Sequence, residues 1–89
     1  MKKKKVLITG SSTGLGLAFA RKFLLEGWDV VAHYYEETEA FTELLRNSPK
    51  SSIYDIYSDF SDDESVNLLL DHIATIDNLD ALLNVAGCY

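Results

Sequence analysis

Apolar and polar positions follow two rhythms along this chain, one of period two and one near 3.6. Val6-Leu7-Ile8-Thr9 is a short apolar and β-branched run ending at Gly10, the pattern of a buried strand. Leu15, Phe19, Ala20, Phe23 and Leu24 then recur on one helical face, and Gly27 stands where a helix-ending C′ residue belongs. Trp28, Val30, Val31 and Ala32 predict a second strand. Ala40, Phe41, Leu44 and Leu45 predict a second amphipathic helix, stopped by Asn47, Ser48 and Pro49. Residues 53–57 read as a third strand, interrupted by Asp55. Ser61-x-x-Glu64 is a capping-box pattern opening a third helix, with Val66, Leu69, Leu70, Ile73 and Ile76 on its buried stripe. Residues 81–85 form the fourth predicted strand.

Strands alternating with helices imply a parallel sheet joined by right-handed crossovers. If the first three strands march one way, the first two helices share a face. The third helix then crosses to the other face and lays strand four beside strand one. The expected fold class is α/β, half of a doubly wound sheet of order 3-2-1-4 with helices on both faces. Its ligand crevice is expected between strands one and four, at their carboxyl ends.

Composition narrows the classes. The 89 residues are 47% hydrophobic and 25% charged, which fits one globular domain over 1–89. The formal net charge is -6, and Lys2, Lys3, Lys4 and Lys5 hold half of the positive charge. The acidic remainder disfavours nucleic acid as a partner, and the lysine run reads as a solvated start to strand one. Cys88 is the one cysteine, so no disulfide framework or cysteine zinc site is expected. No apolar run approaches the ~20 residues that span a bilayer, and the start lacks the long apolar segment of a secretory signal. A cytoplasmic setting without membrane contact is the default expectation.

The candidate chemistry lies at Thr9-Gly10-Ser11-Ser12-Thr13-Gly14-Leu15-Gly16, between the first strand and the first helix. A phosphate approaching backbone N–H groups needs no Cβ in its way. Gly10 suits a tight turn, Gly14 a close approach to the ligand, and Gly16 close helix packing. The helix start adds free N–H groups and the positive end of its dipole. No Gly-Lys-Ser/Thr follows, so this is not a P-loop. A flavin or phosphate-receiver domain of related topology fits worse, since the loop and the acids after strand one do not match.

That loop resembles the cofactor loop of the classical short-chain dehydrogenases/reductases. Asp59, inside Ser58-Asp59-Phe60-Ser61, is similar to the family's Asp that contacts adenine. Asn84-Val85-Ala86-Gly87 resembles the family's Asn-Asn-Ala-Gly after strand four. The resemblance implies a partial Rossmann fold and NAD or NADP as cofactor. It implies cofactor-binding roles for Gly10, Ser12, Thr13, Gly14, Leu15, Gly16, His33, Tyr34, Asp59, Phe60, Asn84, Ala86 and Gly87. In the family the first Asn braces the sheet and the Ala-Gly backbone lines the nucleotide pocket.

Three departures qualify that likeness. Val85 replaces the motif's second Asn. The end of strand two, His33-Tyr34-Tyr35-Glu36, has neither the Asp of NAD-preferring relatives nor the Arg or Lys of NADP-preferring ones. The missing Asp leans toward NADP(H), while Glu36 and Glu37 weigh against a nearby dianion. The family's catalytic Ser and Tyr-x-x-x-Lys follow Asn-Asn-Ala-Gly by a long interval, and the sequence ends two residues after Gly87. No catalytic residue is therefore assigned, and none of Tyr34, Tyr35, Tyr54 and Tyr57 precedes a Lys by four. The expectation is the NAD(P)-binding N-terminal part of an oxidoreductase, inactive alone. The alternative is a non-catalytic module that forms a homo-oligomer, a dimer, through the exposed edge of residues 80–86. His72 reads as solvated, Trp28 as structural and Cys88 as incidental. No residues have metal-ligand spacing.

Overall fold

A computed structural model describes residues 3–76 and 78–85. Its elements run β1 (Lys5–Thr9), α1 (Gly14–Leu25), β2 (Asp29–Tyr34), α2 (Glu39–Asn47), β3 (Ile53–Tyr57), α3 (Asp63–Ala74) and β4 (Ala81–Asn84). The four strands form one parallel sheet of order β3-β2-β1-β4. This is the order expected from the alternation of strands and helices.

The two faces of the sheet follow from the two-residue strand period. Val6, Ile8, Val30, Ala32 and Ile53 face one way and pack with Ala20 of α1 and Phe41 of α2. Leu7, Val31 and Ile56 face the other way and pack with Leu69 of α3, flanked by Ile73 and Ile76. The first two helices thus share a face and the third crosses over, as a right-handed double winding requires. Burying Phe41 almost completely (1% exposed) fastens α2 to the sheet. Helix α2 is capped by Thr38, whose hydroxyl accepts from Phe41 N–H at 3.1 Å.

Several expectations need correction. Leu15 is 58% exposed and Leu70 is 57% exposed, so neither lies on a buried stripe. The stripe of α3 is centred on Leu69 and Ile73, and Leu70 falls one residue, about 100°, round the helix from it. The capping box does not form. Ser61 gives its hydroxyl to Asp59 Oδ1 at 2.7 Å, and Asp62 caps α3 one residue later, accepting from Glu64 N–H. The Asp62 carboxylate is the stronger acceptor and takes the Glu64 N–H that a serine cap would need. Strand β4 ends at Asn84, one residue short of the predicted end. His72 is not simply solvated, for its Nε2 lies 2.6 Å from the Tyr54 hydroxyl. The lysine run is partly engaged: Lys4 lies over the Trp28 ring at 5.5 Å, and Lys3 pairs with Asp29 at 3.8 Å. Trp28 is structural, meeting Phe23 edge to face at 4.8 Å.

Candidate functional site

The carboxyl ends of β1, β2 and β3 open into one cavity of about 430 Å³. Gly10, Ser12 and Thr13 line it from the loop after β1. His33 comes from β2, Tyr35 and Glu36 from the turn after it, and Ser58, Asp59, Phe60 and Ser61 from the loop after β3. This places the described cavity over β1, β2 and β3; the residues that follow Val85, on which a crevice between β1 and β4 would also draw, lie outside the described residues.

The glycine loop is held by its inward-facing groups. Ser11 donates its hydroxyl to the Ile8 carbonyl at 2.7 Å and its N–H to the His33 carbonyl at 2.8 Å. Gly10 N–H donates to His33 Nδ1 at 3.0 Å. The Ser12 carbonyl accepts from the Thr38 hydroxyl at 2.7 Å, which pins the loop to the start of α2. Gly14 has φ +49° and open space where a Cβ would stand. At Gly16 a Cβ would overlap the Gly10 carbonyl oxygen, so the helix can approach the loop only without a side chain there. Thr13 occupies the N-cap position of α1 but its side chain makes no capping bond, and no acid stands in the first turn. The first N–H groups of an α-helix have no partner within the helix. Those of Gly14, Leu15 and Gly16 therefore stand ready for an anion.

The opposite wall is ordered by serines and one aspartate. Asp59 Oδ1 accepts both the N–H and the hydroxyl of Ser61, at 2.9 and 2.7 Å. These two bonds, the hydroxyl first, hold its carboxyl below the ordinary range. Asp59 N–H donates to Ser65 Oγ at 2.9 Å, tying the loop to α3. Phe60 stacks on His33 with ring centres 4.3 Å apart and planes 8° apart. His33 is buried, and its pKa is lowered by that burial against the opposing bond to Ser58.

The candidate residues sort into three groups. Gly10, Ser12, Thr13, His33, Asp59 and Phe60 converge on the cavity. Gly14, Leu15 and Gly16 form the adjoining start of α1. Tyr34 and Asn84 do not line the cavity. Tyr34 packs on Phe41 with ring centres 5.0 Å apart, and burial pushes its phenol pKa up. Asn84 braces β4 to β1 by accepting from the Thr9 hydroxyl at 2.9 Å, and Val85 N–H donates to that same oxygen at 2.9 Å. Ala86 and Gly87 lie outside the described residues, as does Cys88. Tyr35, Glu36, Ser58 and Ser61 line the cavity without having been candidates. Their signal was position: each adjoins a strand end or flanks Asp59. No cluster of three metal-ligating side chains occurs among the described residues, and no helix there is long and apolar enough to cross a membrane.

Comparison with known proteins agrees with this geometry. A 3β-hydroxysteroid dehydrogenase from Eggerthella lenta is 37% identical over 90 residues, covering 98% of this chain and 34% of the relative. A meso-2,3-butanediol dehydrogenase from Serratia marcescens is 34% identical, covering 97% of this chain and 34% of the relative. A solved short-chain dehydrogenase/reductase from Burkholderia multivorans with bound NADP superposes with a TM-score of 0.81 at 26% identity, over 93% of this chain and 36% of that one. The chain spans about a third of the length of these relatives. The family model for short chain dehydrogenase matches residues 4–89. With that match on a parallel sheet of order 3-2-1-4, the chain belongs to the short-chain dehydrogenase family.

Proposed function

We propose that residues 1–89 are the dinucleotide-holding unit of a short-chain oxidoreductase. The whole protein would move hydride between NAD(P)(H) and a carbonyl or alcohol. The observation that carries this reading is the uncapped start of α1 beside the cavity, with Gly14 open to approach. When bound, the dinucleotide supplies a nicotinamide ring that takes or gives hydride. The chain's own residues hold it. The backbone N–H groups from Gly14 to Gly16 would take the pyrophosphate. Asp59 would accept from the adenine amino group, and Phe60 and Tyr35 give the cavity aromatic walls. The acid–base groups of the reaction are assigned to none of these 89 residues.

The charge of the cavity bears on the cofactor. Glu36 and Asp59 line it, and no Lys or Arg stands among the described residues that do. A carboxylate attracts a ribose hydroxyl and repels a 2′-phosphate. The missing Asp at strand two leans toward NADP(H), but Glu36 on the lining weighs more, and we propose NAD(H). Calorimetric titration with NADH and NADPH tests both points. Saturable binding of NADH, lost in Gly14→Asp, supports the reading. No binding of either dinucleotide overturns it.

A second reading concerns assembly. Strand β4 pairs with β1 on one side, and its other edge has no strand partner among the described residues. Leu82 on that strand is 61% exposed. Unpaired edges invite strand addition, and a homodimer through residues 80–86 follows as a proposal. Sedimentation equilibrium tests it. A monomer across the concentration range, or a dimer indifferent to Leu82→Lys, counts against that edge.

A further inference from the structure

We propose that His33 is the positioning residue of the dinucleotide site: its neutral ring ties the glycine loop to the loop after β3, and protonation of the ring loosens the glycine loop and weakens dinucleotide binding. The proposal rests on the dinucleotide reading above.

The geometry fixes the ring's state. Nδ1 lies 3.0 Å from the N–H of Gly10 and must accept, so it carries no proton. Nε2 lies 2.9 Å from the Ser58 carbonyl and must donate, so it carries one. Only the neutral Nε2–H tautomer satisfies both partners. In the imidazolium both nitrogens are donors, so the ring as it is held turns its Nδ1–H against the N–H of Gly10. The ring has little room to evade this conflict. It is 2% exposed, and Phe60 is stacked flat against it. The His33 carbonyl also accepts from Ser11 N–H at 2.8 Å, so one residue anchors two successive loop amides.

The neighbouring ionisable groups do not supply an alternative account. The glycine loop offers none. Asp59 stands on the loop after β3, Glu36 and Glu37 on the turn after β2, and Tyr34, Tyr35 and Tyr57 nearby. One oxygen of Asp59, Oδ1, accepts two bonds from Ser61. Burial lowers the pKa of His33 and the bond to Ser58 opposes it, with none of these charged groups among the causes. Proton binding and loop order are therefore in direct competition at one atom, Nδ1.

The test uses the unmodified chain. Nitrogen–proton NMR follows the His33 ring and the Gly10 amide from pH 8 downward, and NADH is titrated calorimetrically at each pH. His33 is expected to titrate below the ordinary imidazole value of about 6.5, with the Gly10 amide moving at the same midpoint. NADH affinity should fall by up to about tenfold per pH unit below that midpoint. His33→Asn, whose side chain does not titrate, should show no such fall. A Gly10 amide indifferent to the ring's titration overturns the proposal, as does a flat affinity profile or an Asn variant with the unmodified profile. If His33→Asn does not fold, the two measurements on the unmodified chain decide. If no NADH binds at any pH, the dinucleotide reading falls and takes the binding claim with it. The coupling of ring to amide is read without ligand, so the two failures are distinguishable.

Discussion

Replacing Gly16 by Ala and, separately, Gly14 by Ala divides the cost of folding the glycine loop from the cost of using it. A Cβ at position 16 would overlap the Gly10 carbonyl oxygen and stand 2.6 Å from the Gly10 carbonyl carbon and 3.2 Å from Ser11 Cα. These are backbone atoms, and the bonds of Gly10 and Ser11 to His33 and Ile8 hold them in place. Overpacking of this kind costs about 1–3 kcal/mol. Each loop hydrogen bond that gives way adds about 1 kcal/mol. Alanine's helix propensity returns about 1 kcal/mol. With one such bond lost the net is roughly 1–3 kcal/mol, which for a chain of this size lowers Tm by about 4–24 °C. At Gly14 nothing lies within 4 Å, so the cost is that of φ +49° for a residue with a Cβ, about 1–2 kcal/mol, with no helix gain to offset it in that conformation. The added methyl instead occupies the approach to the free N–H groups. Gly14→Ala is therefore expected to lose about 1–2 kcal/mol of stability by backbone strain alone and to bind NADH at least about tenfold more weakly. Urea and thermal unfolding by circular dichroism measure the first effect, and calorimetric titration the second. A Gly16→Ala chain within about 0.5 kcal/mol of the original would refute the close approach. A Gly14→Ala chain with unchanged affinity would refute the ligand's path.

Four further outcomes are expected. Phe41→Ala should cost about 3–5 kcal/mol in urea unfolding, because its ring is 1% exposed at the centre of one core face. Thr38→Ala should cost about 1–2 kcal/mol and speed amide exchange in the loop around Ser12, since one hydroxyl both caps α2 and holds the Ser12 carbonyl. Glu36→Arg should raise the NADPH-to-NADH affinity ratio at least about tenfold by placing a cation on the cavity lining, and a ratio left unchanged would remove Glu36 from cofactor choice. Asp59 titrates below the ordinary carboxylate value, so its contribution is present above that value and lost as pH falls through the lower folded one. Asp59→Ala should flatten that segment of the acid-unfolding curve.

The sheet order was legible because its signal is long-range and redundant. Each strand and helix carried its own periodicity, and handedness left one way to connect them. Helix faces were legible only to within a residue or two. Leu15 and Leu70 satisfy the helical spacing, yet each lies just round the helix from the side that meets the sheet. The third helix start was misread because Ser61 and Asp62 stand side by side as possible caps, and the sequence does not show that Asp62 takes the Glu64 N–H. The site divides in the same way. The glycine spacing states its own backbone requirement. The role of His33 depends on a contact with Gly10 across 23 positions and another with Ser58 across 25, which no local pattern encodes. Glu36 and Tyr35 were visible as residues after a strand, but only the turn of the backbone decides that they, and not Tyr34, face the cavity.

The loop and the fold draw on different groups of the same few residues, which is what lets so short a segment serve both. The inward groups are spent on structure. The N–H groups of Gly10 and Ser11 go to His33, the Ser11 hydroxyl to Ile8, and the Ser12 carbonyl to Thr38. The outward groups begin at Gly14, where the chain turns into α1 without a side-chain cap. A capping acid at Thr13 would satisfy those N–H groups and strengthen the helix by about 1 kcal/mol, while filling the place an anion needs. Leaving the helix uncapped is then a stability sacrificed locally to keep a binding site open, and ligand binding should restore it. By linkage, NADH at a hundred times its Kd would stabilise the folded chain by about 2.7 kcal/mol. The gain should be largest at the first turn of α1, where amide exchange of Gly14 to Gly16 would slow on binding. Uniform slowing along the whole chain, with no excess there, would mean that the uncapped turn is not where the ligand is held.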